Sequence, residues 1–180
     1  MQYLFKYSEI KDLNSLNVLF KNWGWSEGAI LGYGNTKYFD DVKVRFPVLY
    51  ENYFDKYSDS NIEKSLLLGI ARKESIFIQY AKSSAGALGI MQILPRTAYW
   101  VLKKAKMKKV SKNYLYNKNM NIFIGSYYFK YLFSKKKSYV ESIASYNAGL
   151  NTVSKWRKQN NAPEDAWIEF IPYNETRKYR

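Results

Sequence analysis

Chemistry in this 180-residue chain falls to carboxylates, hydroxyls, amides, lysines and tyrosines, because the chain has no cysteine and no histidine. Thiol nucleophiles, Ser-His triads, zinc-finger ligand sets and disulfide staples are excluded together. Among its 15 Asp and Glu residues, Glu74 stands apart through its neighbours. Leu66, Leu67, Ile70 and Ala71 form an apolar stripe at helical spacing, and Glu74 lies four residues after Ile70 and seven after Leu67. The stripe therefore continues into a carboxylate aimed at the core side. Desolvation there disfavours the ionised form, and a carboxyl that keeps its proton near neutral pH can serve as a general acid. The same spacing also fits a buried Glu paired with Arg or Lys, or a helix-end Glu turned to solvent. The stripe alone leaves all three open.

Residues 75 to 140 contain no Asp or Glu, so no second carboxylate follows Glu74 before Glu141. Glycosidases that hydrolyse normally use two. The net charge of +14 is concentrated in the same stretch, where residues 76 to 140 carry thirteen Lys or Arg. Two readings stand side by side: a solvated face, or attraction to a polyanion such as nucleic acid or a carboxylate-bearing cell wall. Tyr127, Tyr128, Lys130 and Tyr131 interleave rings and charge as base-stacking surfaces do, but tyrosines at this spacing more often belong to a core, and no nucleic acid is expected.

The elements that must position Glu74 are helical, because the 3.6-residue period dominates and strand-like alternation is scarce. Two short helices over 13 to 31 break at Gly24, and Phe46-Pro47 opens another near 48 to 57. Ser60 and Glu63 form a capping box before the Glu74 helix. A Gly-rich turn spans 85 to 92, and Pro95 suits the first turn of a helix reaching about Lys104. A helix over about 119 to 133 follows. A second capping box, Ser138 with Glu141, opens a helix that reaches Asn147 and stops at Gly149. Shorter helices are expected near 152 to 159 and 164 to 170, and Asn174 caps a last one. With 47% hydrophobic and 18% aromatic residues the chain can fill a core and line a groove with rings. No stretch approaches the roughly 20 apolar residues of a membrane span, and the first residues lack the apolar core of a secretion signal.

Three segments then stand in order: Arg72-Lys73-Glu74-Ser75, Gly86-Ala87-Leu88-Gly89-Ile90-Met91-Gln92, and Ser145-Tyr146-Asn147-Ala148-Gly149. Together they resemble the catalytic domain of the soluble lytic transglycosylases, whose pattern runs E-S, G-hydrophobic-M-Q, A-Y-N-A-G. Here Ser145 replaces the first Ala of the third element. Glu175-Thr176-Arg177 with Tyr179 is similar to a fourth element. Arg45-Phe46-Pro47 with Tyr50, Asn52 and Phe54 resembles the segment that joins the helical linker domain to the catalytic domain in the large members.

The resemblance implies an all-α, goose-lysozyme-like domain over 58–180, preceded by a helical lead-in over 1–57, in a chain that continues beyond residue 180. It implies Glu74 as the sole acid/base, with Met91 and Gln92 shaping the groove beside it and Tyr146 and Asn147 across the cleft. Tyr146 would offer its ring to a pyranose and its hydroxyl to Glu74 or the substrate. Ser83 matches a position whose hydroxyl lies near the catalytic Glu, and Glu175 and Tyr179 match the far wall. The implied reaction cuts the β-1,4 bond between MurNAc and GlcNAc in peptidoglycan and closes a 1,6-anhydro ring, without cofactor or metal. The implied setting is the bacterial periplasm or envelope, as a monomer acting on the polyanionic sacculus. Two rivals remain: a goose-type lysozyme that hydrolyses the same bond, and a catalytically inactive peptidoglycan-binding domain.

Overall fold

A computed structural model of the chain describes residues 15, 18–20, 22–34, 42–107 and 112–179. The helical periodicity becomes ten α-helices among the described residues that span four residues or more. The lead-in supplies α1 (Ser26–Gly34) and α2 (Val42–Arg45). Then come α3 (Glu51–Tyr57), α4 (Lys64–Ser75), α5 (Pro95–Lys104) and α6 (Lys118–Lys136). The chain closes through α7 (Tyr139–Ala148), α8 (Leu150–Gln159), α9 (Glu164–Trp167) and α10 (Asn174–Arg177), with 3-10 turns at Lys112–Tyr116 and Ile168–Phe170. Extended pairing among the described residues is limited to isolated bridges of Leu88 with Lys82 and Ile93. No described helix is long and apolar enough to cross a membrane.

Most boundaries fall within a few residues of the periodicity, and the breaks have local causes. Gly24 interrupts the lead-in at φ 71°, although residues 13, 14, 16, 17 and 21 of that expected pair lie outside the described residues. Pro95 stands in the first turn of α5, as its fixed φ and missing N–H allow. Ser138 caps α7 by accepting from the Glu141 N–H at 3.0 Å. The reciprocal half of that box is absent, because the Glu141 carboxylate lies 3.0 Å from both Lys136 and Arg157. Ser60 does not cap α4: the helix begins at Lys64 after Glu63. Asp59 preempts it, accepting from the N–H groups of Asn61 and Ile62 at 2.9 Å each, and an Asp that bonds its own backbone two and three residues on holds a turn instead of a helix. The last helix begins at Asn174 itself, after Tyr173, because the Asn174 side chain is engaged by Arg177.

α6 is the axle. Ile122, Ile124, Gly125, Phe129 and Leu132 are all buried, which spreads burial around the helix beyond a single stripe. α3, α5 and α7 pack against it. Phe54 of α3 is fully buried in the same core as Leu67, Ile70 and Ile90, so α3 shares the hydrophobic interior of the helices that follow it. Phe46 reaches back too, its ring 4.5 Å from the Arg72 guanidinium of α4. A second, smaller cluster of Ala144, Val153, Trp167 and Ile171 joins α7, α8 and α9.

Candidate active site

α4 presents Glu74 in its last turn. Leu67, Ile70, Ala71 and Ser75 of this helix are buried, and Glu74, between the last two, is half-buried. The helix stops abruptly because Ile76 (φ 54°) and Phe77 (φ 64°) both take the left-handed conformation. For side chains with a Cβ this costs about 1–2 kcal/mol per residue. Two anchors offset it: Phe77 is 2% exposed, and Ser75 Oγ donates to the Ile90 carbonyl at 2.7 Å. The chain is thereby turned back so that residues 78–93 return beside the end of α4.

That return is held by one buried amide. Asn121 of α6 accepts from the Met91 N–H at 2.7 Å and donates to the carbonyls of Leu88 and Leu115 at 2.9 and 2.7 Å. Gly89 lets the loop reach it: at φ 76°, a Cβ there would stand 2.4 Å from Asn121 Nδ2 and 2.5 Å from the Leu115 oxygen. Gly125 does the same for Met91, whose Sδ would meet a Cβ at 2.4 Å.

Opposite the loop stand α7 and the chain's last described residues. Tyr179 is buried and its hydroxyl donates to Glu74 Oε1 at 2.6 Å. The Asn147 amide donates to Glu175 Oε1 at 3.3 Å and accepts from Thr176 Oγ1 at 2.5 Å, which ties the end of α7 to α10. The Tyr146 hydroxyl donates to the Met91 carbonyl at 2.9 Å, joining that wall to the loop.

These contacts set the charge on Glu74. Its pKa is pushed from 4.5 up to about 7, chiefly by desolvation and further by the neighbouring charge of Glu175, against the opposing hydrogen bond from Tyr179. Burial first, and then the charge of Glu74, push the Tyr179 hydroxyl far above its ordinary range, so it stays a donor. Near neutral pH the site therefore holds one carboxyl able to give up a proton and take one back.

Of the residues named from the sequence, Glu74, Tyr146, Asn147, Glu175 and Tyr179 come together around this carboxyl or its wall. Tyr146 bonds to Met91 and not to Glu74; its ring packs 5.7 Å from Tyr128. Met91 is fully buried, its N–H bonded to Asn121 and its carbonyl to the Tyr146 hydroxyl, so it supports the loop from within. Gln92, at φ 46°, donates from Nε2 to the Gly89 carbonyl at 2.8 Å. Ser83 Oγ accepts from the Ala87 N–H at 3.0 Å and closes its own turn without a hydrogen bond to Glu74. Asn121 and Gly125 escaped the sequence reading. Their only signal is a polar and a small residue on the apolar run Ile122 to Ile124, and it is hidden among four Asn between 113 and 121.

A cavity of about 150 Å³ beside the wall is lined by Gln92, Tyr146, Asn147 and Arg96. It adjoins one of about 510 Å³ lined by Trp100, Tyr128, Tyr131 and Thr152. A larger cavity, about 900 Å³, lies between α1 and α4 against Leu31, Leu66, Ile70 and Tyr179, and Glu74 does not line it.

Helices packed around one central helix, with a single raised carboxyl where a helix end meets a clamped loop, define an all-α domain of the lysozyme-like class. The chain belongs to the family described as the Transglycosylase SLT domain, which it matches over residues 51–168. It is 34% identical over 168 residues to a soluble lytic murein transglycosylase of Escherichia coli K12, covering 89% of this chain and 25% of that one. It is 37% identical over 107 residues to a membrane-bound lytic murein transglycosylase C of Actinobacillus pleuropneumoniae, covering 52% of this chain and 28% of the relative. In structure it is similar to an inactive mutant of the lytic transglycosylase Slt from Pseudomonas aeruginosa, with a TM-score of 0.92 and 29% identity over 99% of this chain and 30% of that one. The chain thus spans about a quarter of the length of the curated relatives it matches.

Proposed function

We propose that this chain is the catalytic part of a lytic transglycosylase that cuts the MurNAc–GlcNAc bond of peptidoglycan, with Glu74 as its single general acid and base. The observation that carries this reading is the Glu74 carboxyl itself, raised to about 7 and held by the Tyr179 hydroxyl at 2.6 Å. In the first step Glu74 gives its proton to the bridging oxygen as that bond breaks, and the MurNAc 2-acetamido group stabilises the charge left on the anomeric carbon. Glu74, now a carboxylate, takes the proton from the MurNAc 6-hydroxyl as that oxygen attacks the anomeric carbon. The product is a 1,6-anhydro ring, the acid is restored, and no water is consumed. A group that must be acid and then base in one turnover works best with a pKa near the working pH.

Tyr179 steadies the carboxylate half of this cycle. Gln92, the loop backbone at Met91, Tyr146 and Asn147 shape the groove, with Ser83 and Glu175 at its edges. The expected division, a lead-in over 1–57 and a catalytic domain over 58–180, is kept as part of this proposal, with α3 contributing Phe54 to the catalytic core. The working place is the cell envelope, the substrate the sacculus, and the acting unit a monomer. The test is release of soluble muropeptides from purified sacculi. The wild-type chain releases them, and Glu74→Gln, which keeps shape but has no acidic proton to give, folds and releases none; comparable release by both would remove Glu74 from this role.

A further inference from the structure

We propose that the cavity beyond Tyr146 and Asn147 receives the acidic peptide stem of the murein strand and that Arg96 is its carboxylate-binding residue. This rests on the reading of the chain as a murein-cleaving enzyme. The two cavities beside the site share Arg96, Thr97, Tyr128, Ala148 and Gly149, so a groove runs from Gln92 and Asn147 outward to Trp100 and Thr152. Its outer part, about 510 Å³, lies within the roughly 300–1,000 Å³ typical of pockets for small ligands. Rings form its floor in sequence: Tyr146 lies 5.7 Å from Tyr128, Tyr128 lies 6.5 Å from Tyr131, and Tyr131 lies 4.5 Å from Trp100.

Among the residues that line the groove Arg96 is the cation and none is an acid; Lys135 stands 5.7 Å from the Tyr131 ring and Glu175 bonds Asn147 at the inner end. Arg96 is exposed and forms no ion pair among the described residues, whereas Lys130 and Lys136 of the same basic stretch are paired with Asp59 and Glu141. Its charge is felt within the groove, where it opposes the burial-driven rise of the Tyr128 pKa. Its place also argues against a structural role: Arg96 is the second residue of α5, and a cation at a helix N-terminus works against the helix dipole. A planar guanidinium suits a carboxylate, which it can grip through two parallel hydrogen bonds. The pyranose rings of the strand offer no charge to it; the stem peptide does.

A carboxylate near this groove has two possible sources, the stem peptide and the lactyl group that remains when an amidase strips the stem away. Cleavage is therefore measured on two strands, one bearing stems and one stripped, with wild type, Arg96→Gln and the control Lys103→Gln on the exposed face of the same helix. Arg96→Gln should raise KM on stem-bearing strands about tenfold, change KM on stripped strands less than about twofold, leave kcat in place, and melt no lower than wild type. Lys103→Gln should change neither strand selectively. A rise on stripped strands alone would assign the contact to the lactyl carboxylate, an equal rise on both strands would assign it to general charge, and no rise on either would remove Arg96 from recognition; each of these overturns the proposal. If wild type cleaves neither strand, the enzymatic reading itself falls.

Discussion

Glu74 is poised by opposing influences, and each can be removed singly. Desolvation and Glu175 raise its pKa while Tyr179 lowers it. Since only the protonated acid starts the reaction, kcat/KM should fall on the alkaline side with a midpoint of about 7. Tyr179→Phe deletes the bond that favours the carboxylate, so the limb should move up, by about one pH unit. Glu175→Gln deletes a repelling charge, so the limb should move down. Opposite shifts in the two pH–rate profiles check the assignment, and a limb that ignores both variants contradicts it. Stability follows the same sign. A folded pKa above the ordinary 4.5 means the protonated form stabilises the fold at low pH, and this contribution is lost as pH rises from 4.5 through about 7. Glu74→Gln has nothing to ionise, so its stability relative to wild type should grow by about 3 kcal/mol between pH 4 and 9, read from denaturant melts. The shared helix face of Leu67, Ile70 and Glu74 offered a raised carboxyl as one of three readings, and the family likeness of the surrounding segments favoured it. Its partner was legible only through the likeness of Glu175-Thr176-Arg177 and Tyr179 to a family element, since no local spacing connects residues 74 and 179.

The loop over residues 85–92 has little regular structure, yet it positions the groove because α6 clamps it. Asn121 satisfies the Met91 N–H and two carbonyls in a buried setting. Asn121→Ala takes their partner from the Met91 N–H and the Leu115 carbonyl, while the Leu88 carbonyl keeps the Ile93 N–H at 2.9 Å; at about 1–3 kcal/mol for each unsatisfied buried group the variant should lose roughly 2–6 kcal/mol of stability. Thermal or urea unfolding measures it, and a loss under 1 kcal/mol would show that the loop stands without the clamp. Helix positions were legible where one cause acts locally: Pro95 opens α5, Ser138 caps α7 and Gly149 follows it. They were misread where a side chain had a better partner elsewhere. Asp59 holds the N–H groups of Asn61 and Ile62 in a turn where the Ser60 cap was expected, and Glu141 turned to Lys136 and Arg157 in place of its own cap. The Asn121 clamp joins segments 30 residues apart, which no periodicity registers.

Across the molecule, the basic stretch from 76 to 140 divides in two. Lys130 and Lys136 are consumed by ion pairs and Lys118 lies 4.8 Å from the Tyr50 ring, so part of the charge is structural. Lys82, Arg96, Lys103, Lys104 and Lys106 are exposed and remain for an anionic wall. Binding to sacculi should weaken as salt rises through physiological strength, where screening shortens to about 8 Å; co-sedimentation that ignores salt would return these cations to a solvated face. Both readings of that stretch were open in the sequence, because charge counts do not reveal which acids return from elsewhere in the chain. The same holds for Glu175, which folding brings close enough to act on Glu74 and which is the acid a hydrolytic reaction would have to use on water. The central claim, one carboxyl and an internal hydroxyl in place of water, is therefore tested most directly by the mass of the products. Digestion of purified sacculi should yield muropeptides ending in 1,6-anhydroMurNAc, about 18 mass units lighter than the hydrolytic forms because no water is added. Reducing MurNAc ends as the major product would contradict it.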